Sequence, residues 1–340
     1  ALEICSNFSY PVIYLYDKVL NWFWNSRYEG LHSIGLERIK ELAAENTIIY
    51  APSHRSHIDY LALSHQLYLN NLMMPQIVAG KNLNLPIIGP ILRNGGAFFM
   101  RRSFGDNKLY SRVFYEHLRK LLQRGSSIEF FPEGGRSRSG RLLPPRPGII
   151  SMLIRAFQDM DEKPIKFVPI SMNYEKVLEG NSYHKEAMGD AKKKESLTSI
   201  LRVARDFRGY LGDAYLQIGQ PIDLKEFLDN NHKDWSKNLI SEDLDNSPNQ
   251  KWLYDLTPKL GKEIMKNINK ATVVTPSALF ASAILNANKF NLSEKKLKSR
   301  SLEIENKSIL VFLNDQADQE LLDEAFQRLN GFDLEIKNSS

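Results

Sequence analysis

Short apolar runs alternate with amphipathic stretches through the middle of the chain, from about residue 47 to residue 219. The runs have the length and composition of buried strands and lie at 47–51, 76–79, 96–100, 127–131, 165–171 and 214–218. The clearest helical stretches between them are 57–69 and 107–124. Since strands that alternate with helices favour layered folds, we predict an α/β fold: a layered domain with a central mixed, largely parallel sheet flanked by helices.

Both ends of the chain are predicted to be helical. Residues 7–30 are rich in Tyr, Trp and Phe and fit a helix with one broad apolar face. That face could pack on the core or lie at the headgroup level of a bilayer. Helices are expected again near 251–269 and 276–288, where Thr275 is the predicted N-cap. The expected parts are an N-terminal aromatic helical segment (1–46), an α/β domain (47–220) and a helical C-terminal region with a charged tail (221–340).

The composition narrows the classes of site. A single Cys among 340 residues excludes an internal disulfide and a Cys-based zinc cage. The net charge of +5 is uneven, because residues 93–146 carry twelve Lys or Arg against four Asp or Glu. This basic segment favours an anionic partner, such as a phosphorylated metabolite, a membrane surface or nucleic acid. No run of eighteen apolar residues is present, so no membrane-spanning helix is predicted.

Two histidines and an aspartate follow the first predicted strand, in the stretch SHRSHIDY (53–60). Ser56 is a predicted helix N-cap with Asp59 three residues on, as in a capping box, so these residues could be ordinary helix-start polarity. Alternatively, because α/β sheets bind ligands at the carboxyl ends of strands, Asp59 could orient the imidazole of His54 and leave its other nitrogen free as a general base. In that interpretation His57 is structural.

A metal site formed by His54, His57 and Asp59 is the rival interpretation of the same stretch. The H-E-x-x-H spacing is absent, and the remaining histidines are scattered along the chain. A catalytic zinc needs three protein ligands in suitable geometry. We therefore predict no metal and no cofactor.

Two segments place special residues within or just after a predicted strand. In GAFFMRRSF (96–104), the strand ends at Arg101 and Arg102, which alternation sends to opposite sides, so that only one should face a site. In KFVPISMNYE (166–175), the strand is interrupted at Pro169. A proline there predicts an edge or an end of the sheet.

The stretch EGGRSRSGR (133–141) follows another predicted strand. Its glycines, Ser137 and guanidinium groups predict an anion-binding loop, with backbone N–H groups available to oxygens. No aromatic residue is interleaved with the arginines, which disfavours the stacking of bases and hence nucleic acid.

Together and in this order, these segments resemble the motifs of the glycerolipid acyltransferase superfamily. The matching residues are His54 and Asp59 in the first motif, Gly96, Phe99 and Arg102 in the second, Glu133, Gly134, Arg136 and Ser137 in the third, and Val168, Pro169 and Ile170 in the fourth. The stretches HRSHIDYL, GAFFMRRSF, PEGGRSRSGRL and NYEKVLEG are similar to the bacterial membrane-associated glycerol-3-phosphate acyltransferase family.

The resemblance implies transfer of a fatty acyl group from acyl-CoA or acyl carrier protein to the sn-1 hydroxyl of glycerol 3-phosphate, giving lysophosphatidic acid in the first step of phospholipid synthesis. It implies His54 as the general base and Asp59 as the residue that orients it. The other matching residues would bind substrate: Arg102, Arg136 and Ser137 at the phosphate, Gly134 at the phosphate or the oxyanion, and Phe99 and Glu133 around the acceptor.

The implied partners are glycerol 3-phosphate, a fatty acyl thioester, a membrane phospholipid surface and acyl carrier protein, without nucleic acid. The implied location is the cytoplasmic face of the bacterial inner membrane, with peripheral attachment. That family carries additional N-terminal sequence, so further sequence is expected ahead of Ala1. Open alternatives are dihydroxyacetone phosphate or lysophosphatidic acid as the acceptor, a metal-dependent hydrolase that uses His54, His57 and Asp59, and a phospholipid-binding protein without catalysis.

Overall fold

The computed structural model describes residues 3–101, 107–158, 164–187, 211–235, 251–275, 277–279 and 281. Contacts divide the chain into two compact units, Ala1–Thr272 and Val273–Ser340. In the second unit, the Thr275 hydroxyl accepts a hydrogen bond from the N–H of Ala278 at 3.2 Å, which confirms the predicted N-cap. The predicted charged tail lies outside the described residues, and the division of the chain at residues 47 and 221 stays a prediction.

A mixed sheet forms the centre of the first unit. Its strands are β1 (Gly30–Ile34), β2 (Thr47–Pro52), β3 (Gln76–Gly80), β4 (Ala97–Met100), β5 (Ile128–Glu129), β6 (Ile165–Tyr174), β7 (Asp213–Ile218) and β8 (Ile222–Asp223). The strand order is β1-β7-β6-β2-β5-β3-β4, with β8 also paired to β6. Strand β6 is antiparallel to β7 and β8, and the other pairings are parallel. The predicted mixed, largely parallel sheet is confirmed.

Helices flank this sheet. They are α1 (Tyr10–Arg27), α2 (Glu37–Glu45), α3 (Asp59–Leu69), α4 (Ile88–Asn94), α5 (Lys108–Gln123), α6 (Pro147–Gln158), α7 (Gly180–Ala187), α8 (Leu224–Asn231) and α9 (Lys251–Lys270). Helices α1, α3, α5 and α9 match the predicted ones within three residues at either end. No helix in the described part of the chain is both long and apolar enough to cross a membrane.

Strand β1, like the two-residue β8, is missed by the apolar pattern. It lies within the segment 1–46, which was expected to be helical, and pairs in parallel with β7 from Gly30–Asp213 to Ile34–Gln217. None of its five residues is fully buried. An edge strand with one neighbour and partial burial has no apolar run to reveal it.

Strand β2 shows how the two faces of the sheet are covered. Ile49 and Ala51 pack into an apolar cluster with residues of α5, α6 and α9, whereas Ile48 and Tyr50 pack into a second cluster with residues of α1, α2 and α3. This alternation follows from the period of two along a strand. All six residues of β2 are buried, as expected for a parallel strand with a layer on each side.

Proline 169 does not lie at an edge or end of the sheet, so that prediction is wrong. It sits inside β6, opposite Ala51 of β2. On the other side of β6, β7 pairs with residues 170–174 and β8 with residues 166–167. The Pro169 carbonyl faces this side and accepts from the N–H of Gly219, between the two strands. The missing N–H of proline therefore falls in a gap, where it interrupts no ladder.

The carboxyl ends of β2, β4 and β5 lie at one edge of the sheet, because these strands are linked by parallel pairings. The first and third motif segments follow β2 and β5, so the fold brings them together.

Before β4, Gly96 has a φ of +100°, and a Cβ there would lie 2.6 Å from the ring of Phe8. This position therefore requires glycine.

Candidate active site

A buried aspartate holds the imidazole of the first motif. Nδ1 of His54 lies 2.8 Å from Oδ2 of Asp59, which is fully buried. The same oxygen accepts from the backbone N–H groups of Arg55 at 2.6 Å and Ser56 at 2.9 Å. The other oxygen accepts from the Tyr174 hydroxyl at 2.7 Å. Since the carboxylate can only accept, Nδ1 of His54 carries the proton, and Nε2 is the basic nitrogen.

Helix α3 begins at Asp59, so the predicted N-cap at Ser56 is wrong. The Ser56 hydroxyl instead donates to Oε2 of Glu179 at 2.7 Å. One half of the predicted capping box does form, because the Asp59 carboxylate accepts the N–H of Ser56. The same carboxylate thus closes the helix start and holds the imidazole.

Two residues that follow β5, Phe131 and Glu133, also position His54. The ring of Phe131 stacks on the imidazole, with centroids 4.0 Å apart and planes inclined by 28°. Oε1 of Glu133 accepts from the N–H of His54 at 2.8 Å, and Oε2 accepts from the N–H of Leu143 at 2.7 Å. Burial raises the pKa of Glu133, and these two hydrogen bonds oppose that shift. Glu133 therefore ties the first motif segment to the loop after the third.

Gly134 and Ser137 shape the loop of the third motif. Gly134 has a φ of +64°, and its N–H donates to the Phe131 carbonyl at 3.0 Å, which closes a turn. The N–H of Ser137 donates to the His54 carbonyl at 2.8 Å, and its hydroxyl donates to the Arg141 carbonyl. The N–H of Gly134 and both donors of Ser137 thus already form hydrogen bonds within the protein. The expected roles of these residues at a phosphate stay predictions.

The guanidinium of Arg136 is held at the same edge. Its Nη1 donates to the Tyr183 hydroxyl at 2.8 Å and lies 3.5 Å from Oε1 of Glu179. The Tyr183 hydroxyl in turn donates to the Arg55 carbonyl at 3.2 Å. The Arg136 side chain is 11% exposed, so its charge is largely enclosed by these partners. A fixed guanidinium of this kind suits the recognition of a phosphate.

The sequence interpretation missed two residues of this site, Tyr174 and Glu179. Tyr174 ends β6 and donates to Asp59, and Glu179 accepts from the Ser56 hydroxyl and from the His57 N–H at 2.9 Å. Burial raises the pKa of Glu179, and the donors from His57 and Ser56 oppose the shift. A signal was present: β6 is parallel to β2, so polar residues after it must reach the edge that carries His54.

The second motif lies on β4 and directly before and after it. Phe99 is fully buried in β4, and the guanidinium of Arg93 lies 4.6 Å from its ring centroid. Arg101 forms an ion pair with Glu3 at 2.8 Å, so its guanidinium is engaged by that carboxylate. Arg102 lies outside the described residues. Its expected role at the phosphate stays a prediction.

His57 is buried and differs in character from His54. Desolvation, together with the positive charges of Arg136 and other neighbours, lowers the pKa of His57 to about 3. Its Nε2 is buried without a hydrogen-bond partner among the described residues. Within the same described part, no group of three or more His, Cys, Asp or Glu is placed to hold a metal ion.

Comparisons with known proteins identify similar sequences over most of the chain. The acyltransferase family model matches residues 32–173, and the model described as glycerol-3-phosphate acyltransferase C-terminal region matches residues 183–306. Proteins named glycerol-3-phosphate acyltransferase are similar to the chain: one from Pseudomonas paraeruginosa is 46% identical over 297 residues, and one from Pseudomonas fluorescens is 42% identical over 304 residues. These matches cover 87% and 89% of the chain but 35% of each relative, so the chain spans about a third of their length.

Among solved structures, the 1-acyl-sn-glycerophosphate (LPA) acyltransferase PlsC from Thermotoga maritima matches with a TM-score of 0.39 and 16% identity, over 75% of this chain and 78% of that one. The chain is a homologue of bacterial glycerol-3-phosphate acyltransferases, and it carries an acyltransferase domain followed by the C-terminal region of that family.

Proposed function

We propose that this chain transfers a fatty acyl group from a thioester to the sn-1 hydroxyl of glycerol 3-phosphate, giving lysophosphatidic acid. The observation that carries the proposal is the contact of 2.8 Å between Nδ1 of His54 and the buried carboxylate of Asp59, at the edge of the sheet that also carries Arg136. The relatives named glycerol-3-phosphate acyltransferase support the choice of acceptor.

In the proposed reaction, Nε2 of His54 accepts the proton of the sn-1 hydroxyl while that oxygen attacks the thioester carbonyl carbon. Asp59 stabilises the imidazolium and keeps it oriented. The tetrahedral intermediate then collapses, the C–S bond breaks, and the leaving thiolate takes the proton from His54. Because the hydroxyl attacks the thioester directly, the reaction uses no acyl-enzyme and no cofactor.

The acceptor phosphate is assigned to Arg136, with Arg102 as a second cation. Ser137 is assigned as a further contact, for which its hydroxyl has to leave the Arg141 carbonyl. This placement of the phosphate holds the sn-1 hydroxyl near Nε2 of His54, which lowers the entropic part of the barrier. The N–H of Gly134 already closes a turn, whereas the N–H of Gly135 makes no hydrogen bond within the described residues. Gly135 therefore offers an available backbone donor to an oxyanion beside the third motif.

The remaining residues assigned to substrate binding are Phe99 and Glu133. Phe99 is fully buried in an apolar cluster against which Phe131, the ring stacked on His54, is packed. Glu133 acts through the N–H groups of His54 and Leu143. The acyl donor is a thioester of CoA or of acyl carrier protein. Dihydroxyacetone phosphate and lysophosphatidic acid are competing acceptors, since each offers a phosphate and a hydroxyl.

A membrane surface is the proposed docking partner, at the cytoplasmic face of the inner membrane. Helix α1 buries one face in the fold and exposes five large apolar or aromatic side chains elsewhere: Tyr10, Tyr14, Leu15, Val19 and Trp22. Helix α4 contacts α1. Ile87, which directly precedes α4, is 77% exposed, and Ile91 within α4 is 45% exposed. Aromatic side chains on such a face suit the headgroup level of a bilayer, where the acyl chains of donor and product reside.

The decisive assay uses labelled glycerol 3-phosphate with a panel of acyl-CoA and acyl carrier protein thioesters, and identifies the product. Formation of 1-acyl-glycerol 3-phosphate by the native chain, with loss of that product in His54→Ala, is the expected result. Release of free fatty acid without an acylated acceptor would point to a hydrolase instead. Equal product formation by His54→Ala would overturn the mechanism.

A further inference from the structure

Glu179 has a position between two parts of the site. We propose that Glu179 is a positioning residue that couples the loop of the general base His54 to Arg136, the cation for the acceptor phosphate. This inference rests on the proposed function for its kinetic consequences. Its geometric content, the fixation of the loop between His54 and Asp59, is independent of the reaction.

The first support is the set of bonds between Glu179 and the base loop. Oε2 accepts from the Ser56 hydroxyl at 2.7 Å, and Oε1 accepts from the backbone N–H of His57 at 2.9 Å. Ser56 and His57 lie between His54 and Asp59 in the chain. The loop is thus held by the Asp59 carboxylate on one side and by the Glu179 carboxylate on the other.

The second support is the contact with the cation. Oε1 of Glu179, the oxygen that accepts from His57, lies 3.5 Å from Nη1 of Arg136. Glu179 is 6% exposed, so its charge and that of Arg136 face each other with little water between them. Tyr183 forms a parallel link, because its hydroxyl accepts from Arg136 and donates to the Arg55 carbonyl.

The third support is the location of Glu179 in the chain. The acyltransferase model ends at residue 173 and the C-terminal-region model begins at residue 183. Glu179 falls between the two matched ranges, after β6 and directly before α7. The residue therefore joins the base loop to the segment that leads from one matched region into the other.

The Glu179 carboxylate therefore has two separate effects, one through its hydrogen bonds and one through its charge. Its hydrogen bonds to the loop fix the direction of His54, and misplacement of a reacting group by about 1 Å can cost on the order of 100-fold in rate. Its negative charge partly neutralises Arg136 and competes with an incoming phosphate for the guanidinium. Rate and acceptor affinity should therefore respond differently to the loss of the hydrogen bonds and to the loss of the charge.

Two substitutions separate these effects. Glu179→Gln keeps an oxygen for the His57 N–H but removes the charge, so we expect kcat within about threefold of native and a KM for glycerol 3-phosphate at least about threefold lower. Glu179→Ala removes the loop bonds as well, and we expect kcat to fall at least about 30-fold. A purely structural role would lower activity in both variants without lowering KM.

The matched control is Asp17→Asn, because Asp17 is a comparably buried carboxylate, 7% exposed and 3.2 Å from Nε2 of His65, away from the His54 loop. Its melting temperature should fall while kcat and KM stay within about twofold of native. Amide hydrogen exchange is measured alongside, and the peptide that contains residues 54–59 should exchange at least about tenfold faster in Glu179→Ala than in the control.

An unchanged or raised KM in Glu179→Gln, a kcat within threefold of native in Glu179→Ala, or native exchange of residues 54–59 in Glu179→Ala would overturn the proposal. If the native 340-residue chain forms no acylated glycerol 3-phosphate, the proposed function fails. The exchange experiment still decides whether Glu179 positions the loop, so the two failures are distinguishable.

Discussion

The hydroxyl of Tyr174 donates a hydrogen bond to Oδ1 of Asp59 at 2.7 Å, while Oδ2 of the same carboxylate holds Nδ1 of His54 at 2.8 Å. Both oxygens are therefore fixed, and the carboxylate cannot rotate away from the imidazole. Desolvation, and to a lesser extent the charge of Asp59, raises the pKa of Tyr174 well above its usual value. The phenol therefore stays a donor throughout the physiological pH range.

Tyr174→Phe should lower both stability and rate. It leaves one oxygen of a fully buried carboxylate without its donor, which costs about 1–3 kcal/mol. We expect kcat to fall about tenfold, because Asp59 then holds His54 less firmly. Chemical denaturation and steady-state kinetics measure the two effects. Tyr68→Phe on α3 is the control, and equal losses in both variants would contradict the role given to Tyr174.

His54→Ala should lose a factor of about 10²–10⁴ in kcat, the usual contribution of a general base. The chain offers a matched pair elsewhere: His32 lies 2.9 Å from Asp213 in the same kind of contact, but its side chain is 52% exposed. His32→Ala should therefore retain turnover within about twofold. A similar loss in both variants would show that the His54 effect comes from folding rather than from proton transfer.

Arg136→Ala should act on the acceptor. We expect the KM for glycerol 3-phosphate to rise at least about tenfold, since a charge-assisted contact with phosphate is lost, while the KM for the acyl donor stays within about twofold. Arg141→Ala removes an exposed cation from the same loop and is the control. An effect of Arg136→Ala on the donor KM alone would place Arg136 at the thioester instead.

One physical reason explains why the sequence predicted most strands of the sheet and also the His54–Asp59 contact. Central strands of a parallel sheet are apolar along their length, and loops at their carboxyl ends share an edge. What it could not predict depended on tertiary contacts. Strand β1 has one neighbour and no buried side chain, and the place of Pro169 depends on the gap between β7 and β8.

The site shows the same limit. A spacing of three residues predicted a capping contact between Ser56 and Asp59, but the Ser56 hydroxyl turns to Glu179, which lies 123 positions further along the chain. Local patterns cannot reveal a competing partner at that separation. Tyr174 was missed for the same reason, because its contact with Asp59 spans 115 positions.

Membrane docking through α1 makes a distinct prediction. The double substitution Tyr14→Ser with Trp22→Ser removes two side chains that are 59% and 61% exposed, so the fold should be unaffected. We expect binding to anionic phospholipid vesicles in a flotation assay to fall at least about tenfold, because aromatic area is lost from the interface. Leu109→Ser, at a position 74% exposed on α5, should leave flotation unchanged. Equal flotation of the double variant and native chain would exclude α1 as the docking surface.

His57 gives the chain an acid-sensitive stability. Its pKa is lowered to about 3 in the folded state, chiefly by desolvation, whereas an unfolded His titrates near 6.5. Between these values the unfolded state binds the proton and the folded state does not, so the free energy of unfolding falls as pH drops below about 6.5. From pH 8 to pH 5 this group should cost about 2 kcal/mol.

The variant His57→Phe removes this titration while keeping a ring of similar size in a buried position. Urea denaturation at pH 8 and pH 5 gives the loss of unfolding free energy for each protein. The loss should be smaller in His57→Phe by about 2 kcal/mol, and comparison of the two losses cancels the titration of every other group. Identical losses would show that His57 is protonated in the folded chain at pH 5, which its burial beside Arg136 argues against.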